Sequence, residues 1–95
     1  MATIDVTRAH SLPKEEAKKK AEEFAVSMQE RFGLDWRWAG DSITFDAPHG
    51  AAKGTKGEVT VTDATVRVVI ELPLMLRMLK GTIEAKVEEK LTKLL

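Results

Sequence analysis

Apolar and polar residues alternate along several short stretches of this chain, and alternation with a period of two predicts β-strands. The first such stretch is residues 3–7, and a longer series extends from residue 35 to residue 72. Turn-forming residues divide the longer series into four strands: the pair Gly40-Asp41, a loop at residues 47–56 and the pair Asp63-Ala64. The side chains predicted to face the core are Ile4, Val6, Trp36, Trp38, Ile43, Phe45, Val59, Val61, Val66, Val68, Ile70 and Leu72.

Two other stretches repeat apolar residues every three or four positions, which predicts amphipathic helices. The first helix starts at residues 11–13 and runs to Phe32, before a glycine suited to the left-handed conformation that ends helices. The second follows Pro73 and extends to Leu94. Gly81 lies inside it and costs about 1 kcal/mol relative to alanine, which leaves open a bend there or a short separate turn before it. The apolar positions are Ala17, Ala21, Phe24, Ala25, Met28 and Phe32 in the first helix, and Leu76, Leu79, Ile83, Val87, Leu91 and Leu94 in the second.

These elements predict an α+β fold with the order β-α-β-β-β-β-α and an antiparallel sheet of about five strands. The short links between the last four strands favour an antiparallel meander. The first strand is expected to pair at one edge, and the sequence does not say which. The outward positions of the strands are mostly polar, so we expect both helices to cover the other face of the sheet.

Composition and charge narrow the classes of function. The 95 residues predict one domain, residues 1–95. Fifteen basic residues balance fifteen acidic ones, which argues against an electrostatic nucleic-acid binder. The chain has no cysteine, which excludes disulfides and thiolate metal sites and permits a cytoplasmic location. No apolar stretch approaches the roughly 20 residues that a membrane span needs, so no membrane span is expected.

No motif in the sequence predicts catalysis, a metal site or a cofactor. His10 and His49 are isolated, whereas a zinc site needs three or four converging ligands. The loop at residues 50–57 resembles a phosphate-binding loop, but its spacing is wrong and a predicted strand follows it. Neighbouring glutamates on the lysine-rich first helix are expected to be solvated, rather than to face one cleft. We therefore predict no catalytic residue, no metal ligand and no cofactor, and expect that the protein is not an enzyme.

The run at residues 72–79 is too apolar for one face of an ordinary surface helix. It either closes the core or presents an apolar patch to another molecule, which is the functional hypothesis. A second copy of the chain is one such molecule, so a homo-oligomer remains open. The side chains predicted to bind a partner are Leu74, Met75, Leu76, Met78 and Leu79.

The two tryptophans suggest a second hypothesis. Trp36 and Trp38 share one face of a predicted strand, and Phe45 continues that face on the next strand. They are expected to pack under the helices. As an alternative, they could line a pocket for a small hydrophobic ligand between the sheet and the C-terminal helix.

The chain also resembles a known bacterial family, the putative polyhydroxyalkanoic acid system, or granule-region, proteins. The resemblance spans nearly all 95 residues and depends on the order and spacing of several short pieces. They are Ile4 with His10-Ser11-Leu12, Phe32-Gly33-Leu34, Trp38-Ala39-Gly40-Asp41 with Phe45, Gly57, Leu74-x-Leu76, and Lys80-Gly81-x-Ile83-Glu84. The chain departs from the family pattern at Pro73 and in the loop at residues 47–56, which is longer here.

The resemblance implies a role in storage of polyhydroxyalkanoate, a water-insoluble polyester kept as cytoplasmic granules. It implies no catalytic residue and no defined molecular activity. Combined with the apolar run, it favours a non-enzymatic protein that binds a granule surface or a granule protein. The expected location is the cytoplasm, at storage granules. The carrier of a small hydrophobic ligand stays as the alternative.

Overall fold

Five antiparallel strands form one sheet in the computed structural model, which describes residues 2–48 and 53–95 without the side chains of Ala2 and Phe32. The strands are β1 (Ala2–Ala9), β2 (Asp35–Ala39), β3 (Ser42–Asp46), β4 (Lys56–Val61) and β5 (Thr65–Leu72). Their order across the sheet is β1-β5-β4-β3-β2. The predicted meander is confirmed, and β1 completes it by pairing with β5 along its whole length, Ala2 opposite Leu72.

Alternation along the strands places one apolar face of the sheet inside the protein. Ile4 and Val6 of β1, and the predicted inward residues of β3, β4 and β5, are all buried. Trp36 and Trp38 on the edge strand β2 are half-buried and pack against this core. The opposite face carries the alternate, mostly exposed residues. The α+β class and the predicted order of elements are therefore confirmed.

Two α-helices cover the apolar face. Helix α1 (Lys14–Phe32) packs across β4, β3 and β2, and α2 (Lys80–Leu94) packs on β1 and touches α1. The small side chains of α1 let the helix lie close to the sheet around the buried ring of Phe24. Gly33 ends α1 with a φ of 69°, the left-handed conformation expected from its position.

The predicted hairpin turn at Gly40-Asp41 is also confirmed, since Ala39 pairs with Ser42 across it. Gly40 has a φ of 66°, which a glycine adopts without steric cost. Predictions about His49, the other residues at 49–52 and the side chain of Phe32 lie outside the described part of the structure.

The apolar run before α2 is a separate element. Residues Leu74–Leu79 form a short 3-10 helix, and the α-helical conformation begins only at Lys80. The predicted second helix thus divides at about the position that Gly81 suggested. In the described residues, no helix is both long enough and apolar enough to cross a membrane.

Candidate functional site: an apolar ridge beside an apolar groove

The side chains of the 3-10 helix lie in separate columns along the helix axis. A 3-10 helix has three residues per turn, so side chains at positions i and i+3 lie above one another. Met75 therefore aligns with Met78, and Leu76 aligns with Leu79. In an α-helix these pairs would diverge, because three residues rotate through only about 300°. The helix type explains how one short segment presents different apolar columns to the core and to the solvent.

The methionine column projects into solvent. Met75 is 91% exposed and Met78 is 93% exposed, and Leu74 beside them is 71% exposed. We call these three side chains the methionine ridge. Single exposed apolar residues are common on proteins, but a contiguous group on one short element is typical of an interaction surface. The ridge contains three of the five residues predicted to bind a partner.

The leucine column is turned by about 120° from the methionine column and forms one wall of a groove. Leu76 is half-buried against the core, and Leu79 is 49% exposed at the groove margin. The groove has a volume of about 280 Å³ and is lined by Met28, Leu34, Thr55, Ile70, Leu72, Leu76, Leu79, Thr82, Ile83 and Lys86. Its walls therefore come from α1, the sheet, the 3-10 helix and α2.

Thr55 is the unusual residue of this groove. Its side chain is only 5% exposed, and its hydroxyl oxygen has no hydrogen-bond partner among the described residues. The backbone around it is well paired: the Ala47 amide donates to the Thr55 carbonyl at 2.9 Å, and the Gly54 amide donates to the Ala47 carbonyl at 3.0 Å. A buried hydroxyl without a partner normally costs about 1–3 kcal/mol. Beside the groove there is therefore a buried polar group that the described residues leave without a hydrogen bond.

Positive charge borders both apolar surfaces. Arg77 and Lys80 follow Leu74 at intervals of three along the chain, and Lys86 contributes to the groove lining. Among the described residues, no acidic side chain lines the groove. The site therefore combines apolar contact area with cations at its margins, an arrangement suited to an apolar molecule that carries a carboxylate.

The three residues of the alternative pocket hypothesis lie outside this groove. The Trp36 indole donates a hydrogen bond to Gln29 of α1 at 3.0 Å, and the Trp38 indole donates to Glu22 at 3.0 Å. The Lys18 ammonium also lies 5.0 Å from the centre of the Trp38 ring. Phe45 is buried in the core under α1. These contacts tie β2 to α1. A groove between the sheet and the C-terminal helix is present, but its lining is the set that includes Thr55.

His10 is a connecting residue rather than an isolated surface histidine. The Leu12 amide donates to its Nδ1 at 3.1 Å, so Nε2 carries the proton and donates to the Thr62 carbonyl at 2.9 Å. The ring thereby joins the start of α1 to the turn between β4 and β5. In the part of the chain that the structure covers, no three side chains of His, Cys, Asp or Glu form a group that could hold a metal ion.

The outer face of the sheet carries a solvent-exposed ion pair with two hydrogen bonds, away from the site. Arg67 of β5 donates two hydrogen bonds to Asp5 of β1, at 2.9 and 2.6 Å. These hydrogen bonds, with the positive charge behind them, lower the pKa of Asp5. Lys14 similarly donates to Asp41 at 2.6 Å and lowers the pKa of that carboxyl group.

Comparison with known proteins gives one match. The model of the family described as "Putative polyhydroxyalkanoic acid system protein" (PHA_gran_rgn) matches residues 4–95. No curated protein and no solved structure matches the chain. The matched range includes the 3-10 helix, the groove residues and His10.

Proposed function

Because the chain belongs to the family of putative polyhydroxyalkanoic acid system proteins, we propose that it is a non-enzymatic component of polyester storage that binds the granule surface through the methionine ridge. The observation that carries the proposal is the exposure of Leu74, Met75 and Met78 on two neighbouring columns of one short helix. The proposed location is the cytoplasm, where such granules are kept.

The shape of the ridge favours an extended surface over a folded partner. The ridge projects from the protein, so a protein partner would need a matching groove, whereas a polyester surface needs only to be apolar and accessible. Methionine side chains are unbranched and polarizable, and they adapt to irregular apolar surfaces. Arg77 and Lys80 beside the ridge would suit carboxylate chain ends at such a surface.

The energy available from the ridge fits reversible attachment. Burying on the order of 300 Å² of apolar surface contributes about 7 kcal/mol at 25 cal/mol per Å², before ordering costs. We assign no catalytic role because the groove beside the ridge has, among the described residues, only Thr55, Thr82 and Lys86 as polar lining. The proposed activity is therefore adhesion.

The test is recovery of the protein with polyester granules after sedimentation. We expect the Met75→Glu, Met78→Glu double variant to stay in the supernatant, because two carboxylates would have to be dehydrated at the apolar surface. The Met75→Gln, Met78→Gln variant should lose less of its recovery with granules. The comparison separates the loss of apolar area from the addition of charge. Both methionines are more than nine-tenths exposed, so both variants are expected to fold.

Val26 provides the matched control. It is an exposed apolar residue on α1, away from the ridge, and Val26→Glu adds one acidic group without touching the 3-10 helix. This variant should sediment with granules like the wild type. Recovery of a folded double variant equal to that of the wild type would contradict the proposal. A dimer that the double variant dissociates, with unchanged granule recovery, would assign the ridge to a second copy of the chain instead.

A further inference from the structure

The buried hydroxyl of Thr55, which has no partner among the described residues, is the feature that granule adhesion leaves unexplained. The side chains of the methionine ridge do not line the groove, and adhesion through them makes no use of Thr55. Folded proteins rarely leave a buried hydroxyl without a partner. Where one persists beside an open apolar groove, a molecule bound in the groove is a natural source of the missing hydrogen bond.

Water is a poorer partner for Thr55. An ordered water usually makes two to four hydrogen bonds with protein groups. Apart from Thr55, the polar residues lining the groove in the described part of the chain are Thr82 and Lys86, and both are exposed on α2. A water beside the buried Thr55 hydroxyl would therefore lie against apolar walls such as Ile70 and Leu72. A hydroxyl group on an otherwise apolar ligand avoids this cost of missing hydrogen bonds, because the rest of the ligand can lie against the apolar walls.

We propose that the groove binds the acyl chain of a single hydroxyalkanoic acid. Its alkyl chain lies against the apolar wall, and its hydroxyl group hydrogen bonds with Thr55 Oγ1 once a χ1 rotation turns that oxygen into the groove. Its carboxylate lies at the groove margin, within reach of the exposed Lys86 side chain. The choice of ligand rests on the proposed function, since hydroxyalkanoic acids are the units of the polyester. The side chains involved are different from those of the methionine ridge.

The groove has the dimensions and the chemistry for such a ligand. Its volume of about 280 Å³ is near the lower end of the range for small-molecule sites, roughly 300–1,000 Å³, which favours a short acyl chain. Thr55 can donate or accept, so it can pair with a ligand hydroxyl in either direction. A χ1 rotation of about 120°, from one staggered position to the next, can move the hydroxyl of Thr55 to the position of its methyl group and so turn it toward a ligand.

The test compares two ligands that differ in one hydroxyl group. Isothermal titration calorimetry would measure the affinity of the wild type and of Thr55→Val for 3-hydroxyoctanoate and for octanoate, with each acid below its micelle concentration. We expect Thr55→Val to weaken the binding of 3-hydroxyoctanoate about two- to tenfold, which corresponds to the loss of one neutral hydrogen bond. The affinity for octanoate should not change. Thr55→Ser keeps the hydroxyl and should retain the preference for the hydroxylated acid.

Two further measurements test the other contacts. Lys86→Gln should weaken the binding of both acids by the same factor, up to about fivefold, because both acids carry the carboxylate. Shortening the 3-hydroxy acid should weaken binding about fourfold for each methylene removed. Methyl NMR should show ligand-dependent shifts at Ile70 and Ile83 in the groove wall, and little change at Ile43 in the core under α1.

Folding of the key variant is readily checked. Thr55→Val replaces an unpartnered hydroxyl with a methyl group of similar size, so it should unfold at the same or a higher urea concentration than the wild type. The proposal is overturned if neither acid binds, if Thr55→Val weakens both acids equally or neither, or if the shifts fall outside the groove. The Met75→Glu, Met78→Glu variant should bind 3-hydroxyoctanoate like the wild type, so failure of granule adhesion and failure of groove binding are separate results.

Discussion

The space beside Gly57 is filled by the ring of Phe45, so a side chain at position 57 would not fit. Gly57 lies opposite Phe45 in the pairing of β3 with β4, and the Phe45 ring covers the glycine. A Cβ at this position would collide with that ring and would lie 2.7 Å from the Val69 carbonyl oxygen of β5. We expect Gly57→Ala to lower the free energy of unfolding by about 2 kcal/mol, because overpacking strains both neighbouring strands. Urea unfolding would measure this.

The control for Gly57 is the partner ring. Phe45→Leu makes space above Gly57, so the Phe45→Leu, Gly57→Ala double variant should be less destabilised than the sum of the two single variants. If the two losses of unfolding free energy are additive, contact with Phe45 does not explain why position 57 needs a glycine.

Asp5 gives a prediction about pH. Its pKa is lowered by the hydrogen bonds from Arg67, so in the folded state the carboxyl group holds its charge to a lower pH than in the unfolded state. The resulting stabilisation is present above the unfolded pKa and is lost as the pH falls through the folded pKa. We expect Arg67→Gln to return the pKa of Asp5 toward the ordinary aspartate value in a carboxyl NMR titration. Asp41, paired with Lys14, should keep its lowered pKa in that variant, and a change there would point to a general effect.

His10 illustrates why single residues are hard to interpret from the sequence. Its partner is the carbonyl of Thr62, 52 positions away, and nothing near His10 in the sequence indicates that contact. The pairing follows only from the position of β1 beside β5, which brings the two segments together. Gly57, in contrast, was already one of the residues that carry the family resemblance, although its close neighbours became clear only from the sheet register.

Among the elements, the strands were the easiest to predict. Alternation in β3, β4 and β5 identified the buried side chains, because one face of an antiparallel sheet is buried and the other is solvated. The boundary between the 3-10 helix and α2 was less clear. An apolar run that includes most positions, as residues 72–79 do, fits a spacing of three or four equally well. The sequence therefore did not predict that Met75 and Met78 would lie in one column.

Gly81 provides a prediction at the junction of these two helices. It is the second residue of α2, its φ is not in the left-handed region, and a Cβ there would meet no atom within 4 Å. We expect Gly81→Ala to stabilise the protein by about 0.5–1 kcal/mol, because alanine loses less backbone entropy in a helix. Thermal unfolding followed by circular dichroism would measure it. A lower midpoint would indicate that the junction needs a glycine.

For the whole molecule, the two proposed surfaces should respond differently to salt. Between 0.1 and 1 M salt, the Debye length falls from about 10 Å to about 3 Å. We expect granule recovery through the methionine ridge to stay constant, and binding of 3-hydroxyoctanoate beside Lys86 to weaken. Sedimentation and calorimetry at the two salt concentrations would test this. Loss of granule recovery in 1 M salt would assign attachment to Arg77 and Lys80 instead of the apolar side chains.

The two surfaces also differ in how far the sequence could reveal them. The ridge lies within six consecutive residues, so its composition alone marked it as a candidate. The groove joins Met28, Thr55, Ile70 and Ile83, which come from four separate parts of the chain. The tryptophans of the alternative pocket hypothesis lie away from this groove, because they connect β2 to α1 at the opposite edge of the sheet from β1.

The exposure of Met75 and Met78 has a chemical consequence for the cell. Exposed thioethers react with peroxide, and the sulfoxide product is polar. Met28 is half-buried in the groove wall, so oxidation would reach Met75 and Met78 before Met28. If the methionine ridge attaches the protein to granules as proposed, oxidative stress would make this surface hydrophilic and release the protein. Methionine sulfoxide reductases would then restore the attachment.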